Sequence, residues 1–85
     1  MRQPNVSVYG SKTCPDSTRA TGYLDSQGVP YEFKDVEESP EYNAYIADLN
    51  DGKRVIPTIQ VENDFLFNPD LKTLAEAVKA ASVSR

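Results

Sequence analysis

The 85-residue sequence predicts an α/β domain in the order β-α-β-α-β-β-α, a four-stranded mixed sheet flanked by three helices. Three observations predict it. Short β-branched and aromatic runs alternate with helix-length segments, the pattern of βαβ units. Prolines stand at two helix starts, Cys14-Pro15 and Ser39-Pro40. Two later apolar runs, Thr58-Ile59-Gln60-Val61 and Phe65-Leu66-Phe67, flank Glu62-Asn63-Asp64 as in a short antiparallel hairpin.

Val6-Ser7-Val8-Tyr9 alternates like a half-buried strand and stops at Gly10-Ser11. Pro15 fits the first helical position, where its missing N–H costs nothing, and the helix is expected to reach about Ser26. Gly28 suits a helix C-terminus, and Val29-Pro30 prevents continuation. Residues 31–36 are strand-like, with Tyr31 and Phe33 on one face. Ser39-Pro40-Glu41 then supplies a capping hydroxyl, a first-turn proline and a carboxylate at the positive end of the helix dipole. Tyr42, Tyr45, Ile46 and Leu49 follow at helical spacing as an apolar stripe, and Asp51-Gly52 ends it. After the hairpin, Asn68-Pro69-Asp70 opens a last helix with Leu71, Leu74, Ala75 and Val78 as its buried stripe. The β-α-β start implies a parallel, right-handed crossover, and the hairpin adds antiparallel strands.

The length suits one domain over residues 1–85. A net charge of -4 argues against nucleic acid, since phosphate binding needs clustered Lys and Arg. No apolar run approaches the ~18–20 residues of a membrane span, and no apolar stretch follows Met1-Arg2-Gln3-Pro4-Asn5 as a secretory signal would. The absence of histidine excludes Ser-His-Asp and Cys-His catalysis and imidazole metal ligands. A single cysteine excludes an internal disulfide and a Cys-rich zinc site, and it suits a reducing cytoplasm.

The remaining chemistry gathers at Lys12-Thr13-Cys14-Pro15-Asp16-Ser17. A lone cysteine is usually a small buried hydrophobe, but three features here favour a reactive thiolate. Cys14 falls where the first strand meets a helix, at the sheet's carboxyl edge. Pro15 makes it the helix N-cap, so orphan amides and the positive dipole end face its sulfur. Lys12 and Arg19 add positive charge. The Asp16 carboxylate opposes them, so the thiol is expected to titrate moderately below the free value of about 8.5. Elsewhere, Glu37, Glu38 and Glu41 read as a solvated helix start, Tyr42 and Tyr45 as core packing, and Tyr9 as a candidate to line the site.

Cys14-Pro15-Asp16-Ser17 after a strand, with Val55-Ile56-Pro57-Thr58 some forty residues later, resembles a glutaredoxin of the thioredoxin-fold superfamily. The likeness covers roughly residues 5–80. The run from Asp51 to Ile59, followed by Leu66-Phe67-Asn68-Pro69, is most similar to the mycoredoxin-like branch. The resemblance implies a thiol–disulfide oxidoreductase with Cys14 as the nucleophile that attacks a mixed disulfide. It implies a cis-proline at Pro57 facing it, with the backbone of Ile56 pairing with the bound thiol. It implies Lys12, Lys53 and Arg54 as anchors for a small thiol's carboxylates, and Asn68 and Asp70 beside them in the thiol-binding turn. No bound cofactor is implied, because the small thiol (glutathione, mycothiol or a relative) supplies the electrons to oxidised or thiolated protein partners of a monomeric enzyme.

Two departures narrow this. Ser17 stands where a resolving cysteine would be, which leaves only a monothiol route. The Gly-Gly turn that holds glutathione's γ-glutamyl end is replaced by residues 66–70, where Pro69 has no N–H to donate. Two rival roles remain: a carrier in which two chains share a [2Fe–2S] cluster through Cys14, and a redox-inert module that docks a partner. Pro15, where cluster-binding relatives have glycine, stiffens the loop against the first.

Overall fold

In the computed structural model, which describes residues 4–83, the chain forms β1 (Val6–Gly10), α1 (Pro15–Ser26), β2 (Glu32–Asp35), α2 (Pro40–Leu49), β3 (Thr58–Val61), β4 (Asp64–Phe67) and α3 (Leu71–Val83). The expected element order is the observed one. The sheet runs β2-β1-β3-β4, with β1 parallel to β2, and with β3 antiparallel to both β1 and β4. This is the four-stranded mixed sheet with three helices of the thioredoxin fold.

Register explains how the core divides. Val8 lies opposite both Phe33 and Ile59, and Ile59 opposite Leu66, so four apolar side chains form a row across one face. Val6, Val8, Ile59 and Val61 pack there against Ala20 and Leu24 of α1 and Leu74 and Val78 of α3. Because side chains alternate across a strand, Tyr9 points to the other face, where it joins Val36 and Ile46 of α2 in a smaller cluster. Lys34 extends the same surface, its ammonium 5.2 Å from the Tyr9 ring centre and 5.7 Å from that of Tyr42. Tyr9 is therefore core, 4% exposed, and does not line the cysteine site.

The helix ends follow their sequence signals with instructive exceptions. Gly28 closes α1 with φ +67, a left-handed conformation natural to glycine. Ser39 precedes Pro40, yet its hydroxyl makes no capping bond; its carbonyl accepts the N–H of Tyr42 at 3.1 Å instead. The side-chain work in that turn falls to Asp35, whose carboxylate accepts the N–H groups of Glu37 and Glu38 at 2.8 and 3.3 Å. The α2 stripe is only partly buried: Ile46 is fully covered, while Tyr45 is 43% and Leu49 38% exposed. A ten-residue helix over strands that present Ser7, Lys34 and Gln60 on that face has little apolar surface to cover. On α3 the buried face runs through Leu74, Ala77, Val78 and Ala81 rather than Leu71 and Ala75. In the hairpin Asp64 already belongs to β4, opposite Val61, so the turn is only Glu62-Asn63. Among the described residues no helix is long and apolar enough to cross a membrane.

Leu24 is fully buried and Leu49 lies at the rim. Leu24→Ala should therefore cost about 2–5 kcal/mol in urea unfolding, against less than about 1 kcal/mol for Leu49→Ala. Equal losses at the two positions would contradict the division of the core described above.

Candidate active site

β1 and α1 are joined by the turn of residues 11–14. The Cys14 N–H donates to the Ser11 carbonyl at 3.2 Å, and the Cys14 carbonyl accepts from the Thr18 N–H at 3.0 Å and the Thr18 hydroxyl at 3.1 Å. Cys14 is thus the N-cap of α1, in an extended conformation (φ −89, ψ 120), with Pro15 opening the helix. Its thiol is partly exposed and free.

Those two facts set the thiol's acidity. The Ser17 N–H pulls the Cys14 thiol below its ordinary value, partial burial pushes it back up, and the Ser17 hydroxyl and Asp16 N–H pull it down again. The Asp16 carboxylate opposes them weakly. None of these contacts to sulfur has the full geometry of a capping hydrogen bond, so their effect is that of polar N–H and O–H groups aimed at the thiolate. The net shift is downward, as the sequence suggests, but its source differs. Arg19 is bonded to the Asp16 carboxylate, so it blunts the opposing charge instead of acting on sulfur directly.

Ser17 is 1% exposed, and its hydroxyl oxygen accepts the Ser11 N–H at 3.2 Å. Gly10 leaves the room for it: a Cβ built there would stand 2.5 Å from the Ser17 hydroxyl oxygen. An open cavity of about 210 Å³ lies on the β2 side of α1, walled by Ser11, Lys12, Ser17, Thr18, Tyr31 and Phe33.

The second motif sits at the same edge of the sheet. β3 begins beside the end of β1, with Thr58 opposite Tyr9, and the Ile56–Pro57 bond that precedes it is cis. Pro57 is buried and Ile56 half-buried against the Tyr9 cluster. The Asn68 N–H donates to the Pro57 carbonyl at 2.8 Å, which ties the β4–α3 turn to the proline; Asn68 has φ +47, a left-handed position that asparagine tolerates. Asp70 caps α3: its carboxylate accepts the Thr73 N–H at 2.8 Å, which holds its carboxyl below the usual range.

The expected cations separate into two kinds. Arg54 is held by the Glu37 carboxylate at 2.6 Å. Lys12 and Lys53 are exposed and carry no ion pair among the described residues; the Lys53 backbone is fixed by Asn50 at 3.0 and 3.1 Å. No group of His, Cys, Asp or Glu that could hold a metal occurs among the described residues. Sequence reasoning missed Gly10 and Ser11 as parts of the site. Gly10 reads as a strand end, and nothing local in the sequence says that a helix side chain seven residues on needs its missing Cβ.

The glutaredoxin family model matches residues 6–66. The chain is 32% identical over 56 residues to mycoredoxin 1 of Corynebacterium glutamicum, covering 66% of this chain and 68% of that protein. Among solved structures it is similar to a glutaredoxin of Archaeoglobus fulgidus, with a TM-score of 0.74 at 21% identity, covering 89% of this chain and 87% of that one. A glutaredoxin of Brucella melitensis superposes with a TM-score of 0.72 at 24% identity, covering 95% and 88%.

Asp16→Asn keeps the backbone N–H groups and removes the one carboxylate that opposes the thiolate. It should move the Cys14 titration, followed by thiolate absorbance, to slightly lower pH. An upward movement would contradict the assignment of Asp16 as a repulsive neighbour.

Proposed function

The chain belongs to the glutaredoxin family and is a thiol–disulfide oxidoreductase, and on that premise we propose that it reduces mixed disulfides between proteins and a small thiol by a monothiol route. The observation that carries this reading is Cys14 as the N-cap of α1 with its thiol partly exposed and free, while position 17 holds a buried serine. The sequence contains no second thiol to close an internal disulfide.

In the first step the Cys14 thiolate attacks the small-thiol sulfur of a protein mixed disulfide. A Cys14–small-thiol disulfide forms, the protein sulfur leaves as thiolate and water protonates it. In the second, a free small thiol attacks the small-thiol sulfur on Cys14. Cys14 leaves as thiolate, and the two small thiols depart as their disulfide, the electron pair having come from the attacking thiol, whose proton passes to water. The N–H groups of Ser17 and Asp16 keep Cys14 ionised for the first step, in which its charge is consumed, and stabilise the charge that returns to it as leaving group in the second.

Ile56 and Pro57 would position the bound thiol's backbone across the sheet edge from Cys14. Lys12 and Lys53 are the cations ready to meet its carboxylates, and Arg54 would have to exchange Glu37 for a ligand. Asn68 and Asp70 shape the far end of the groove. There the Asn68 N–H is already spent on Pro57, Pro69 has none, and the Asp70 carboxylate is occupied at the α3 cap. A γ-glutamyl carboxylate loses charge-assisted donors in such a turn, at about 1.5–3 kcal/mol each, or one to two powers of ten in affinity. The reading therefore favours a thiol without that group, mycothiol being the leading candidate, over glutathione. A lone thiol and a net charge of -4 fit a monomer working in a reducing cytoplasm without nucleic acid or membrane.

The test is incubation with glutathione disulfide and with mycothiol disulfide, followed by mass spectrometry. One adduct should form on Cys14, persist until a free thiol is added, and turn over faster with mycothiol. An adduct that clears without added thiol would contradict the monothiol route, and tenfold faster turnover with glutathione would contradict the thiol assignment.

A further inference from the structure

β4 ends the sheet, and among the described residues no strand pairs with its outer side. Which backbone groups point outward follows from the bonding phase of the ladder. The Asn68 N–H donates to the Pro57 carbonyl at 2.8 Å, and the register that sets Thr58 against Phe67 sets Pro57 against Asn68. Bonded and non-bonded pairs alternate along an antiparallel ladder, so Leu66 and Asp64 also bond inward, to Ile59 and Val61. The other side of β3 agrees. There the Glu62 N–H donates to the Asn5 carbonyl at 2.8 Å, which turns Gln60 and Thr58 toward β1. Phe65 and Phe67 are left with their N–H and C=O groups facing outward, about 7 Å apart along the strand. No backbone bond of the turns and loops among the described residues involves either one. Such an edge is a template for a further strand.

The surface around that edge is apolar and acidic. Side chains alternate, so Phe65 and Phe67 share the face on which α2 lies, while Asp64 and Leu66 share the other. Tyr45 of α2 rests on the Phe65 ring at 6.3 Å, and Leu49 follows it one turn along. The exposed large hydrophobic residues among those described are Tyr45, Leu49 and Phe67, so all belong to this α2 stripe or to β4. The charges beside them are carboxylates. Asp64 on the strand, Asp48 on α2 and Asp51 just after it are exposed and carry no ion pair among the described residues. No Lys or Arg occurs from Val55 to Leu71, a stretch bracketed by Arg54, which Glu37 holds, and Lys72. The opposite edge differs: on β2, Glu32 and Lys34 pair with each other at 3.8 Å, and no exposed large hydrophobic accompanies them.

We propose that the outer edge of β4 docks an extended, basic and apolar peptide segment of a partner protein as a fifth strand. An antiparallel segment with residues opposite Phe65 and Phe67 closes two backbone hydrogen bonds with each. Directly opposed side chains share a face, so those two residues are apolar and cover the phenylalanine rings. The residue opposite Asp64 is Lys or Arg and meets a carboxylate that has no ion pair. Along the incoming strand the recognised pattern is therefore apolar, any, apolar, basic. A second copy of this chain fits worse, because it brings two acidic edges together on chains of net charge -4. The edge ends at the Asn68–Pro57 bond, so a docked strand lies beside the cysteine site, yet the docking itself uses no disulfide.

The probe is a short, capped peptide of alternating valine and lysine, with the valine–glutamate peptide as its counterpart, added to the unaltered protein. Amide exchange is read by two-dimensional NMR. In the free protein the Phe65 and Phe67 amides should exchange fast and the Leu66 amide slowly, as the ladder phase requires. The valine–lysine peptide at saturation should slow exchange at Phe65 and Phe67, and the valine–glutamate peptide should not. Asp64→Lys, which keeps the backbone, should reverse that preference. Phe67→Ala, at an exposed ring, should weaken valine–lysine binding about fivefold with little change in melting temperature. Equal binding of both peptides, protection at Glu32–Asp35 instead, or no binding of the valine–lysine peptide overturns the proposal. So does an unchanged preference in Asp64→Lys or an unchanged affinity in Phe67→Ala. Protection of Phe65 and Phe67 that grows with protein concentration alone overturns it too, since a second copy then covers the edge. A protein that binds the peptide as described but fails to reduce mixed disulfides would reject the proposed function and leave the docking edge standing.

Discussion

The close approach of β1 to the first turn of α1 is the constraint on which the site depends. Pro15 starts the helix at the residue after Cys14, and the Ser11 carbonyl holds the Cys14 N–H at 3.2 Å, so the sulfur has to face the free N–H groups of the helix start. Gly10 lets Ser17 sink to 1% exposure beneath it. With a longer connection or a side chain at position 10, the same residues would be present in the sequence while the thiol stood away from its donors. The acidity of Cys14 is therefore a property of backbone placement, in which nearby cations take a secondary part: Arg19 is engaged by Asp16 and Lys12 stands at the mouth of the neighbouring cavity.

The sheet makes that placement rigid. β1 is flanked on both sides, by β2 and β3, and its even positions are buried between α1 and α3. The strand thus offers a fixed platform for the turn that follows it, and β3, antiparallel to it, starts the cis Ile56–Pro57 segment at the same edge. The Asn68 N–H then pins the β4–α3 turn to Pro57. Three connections that are distant in sequence meet at one edge because of strand order alone. The opposite face is less filled, with Tyr45 resting on Tyr9 and Phe65 at ring separations of 5.5 and 6.3 Å and remaining 43% exposed.

Much of this was legible in the residues, for identifiable reasons. Pro15 and Pro40 marked helix starts because proline is at ease only there, and the alternation in residues 6–9 identified which side of β1 is core. Cys14 could be placed at a helix N-terminus before any coordinates, and Pro57 could be singled out by resemblance. Less legible was whatever depended on partners remote in sequence. Arg54 reads as a free cation until Glu37, seventeen residues away, is seen beside it. Asp16 and Arg19, three apart on a helix, were within reach of sequence reasoning as a pair, and reading Arg19 as a partner of the thiol overlooked it. The requirement for glycine at position 10 appears only when α1 is packed on β1.

The central claim is that the N–H groups at the start of α1 stabilise the Cys14 thiolate, and the titration of the unaltered protein tests it most directly. Thiolate absorbance, or the rate of alkylation by iodoacetamide across pH, should give a midpoint clearly below the ordinary free-cysteine value of about 8.5. A midpoint at or above that value would contradict the account, because burial and the Asp16 carboxylate would then outweigh the donors that Ser17 and Asp16 present to the sulfur.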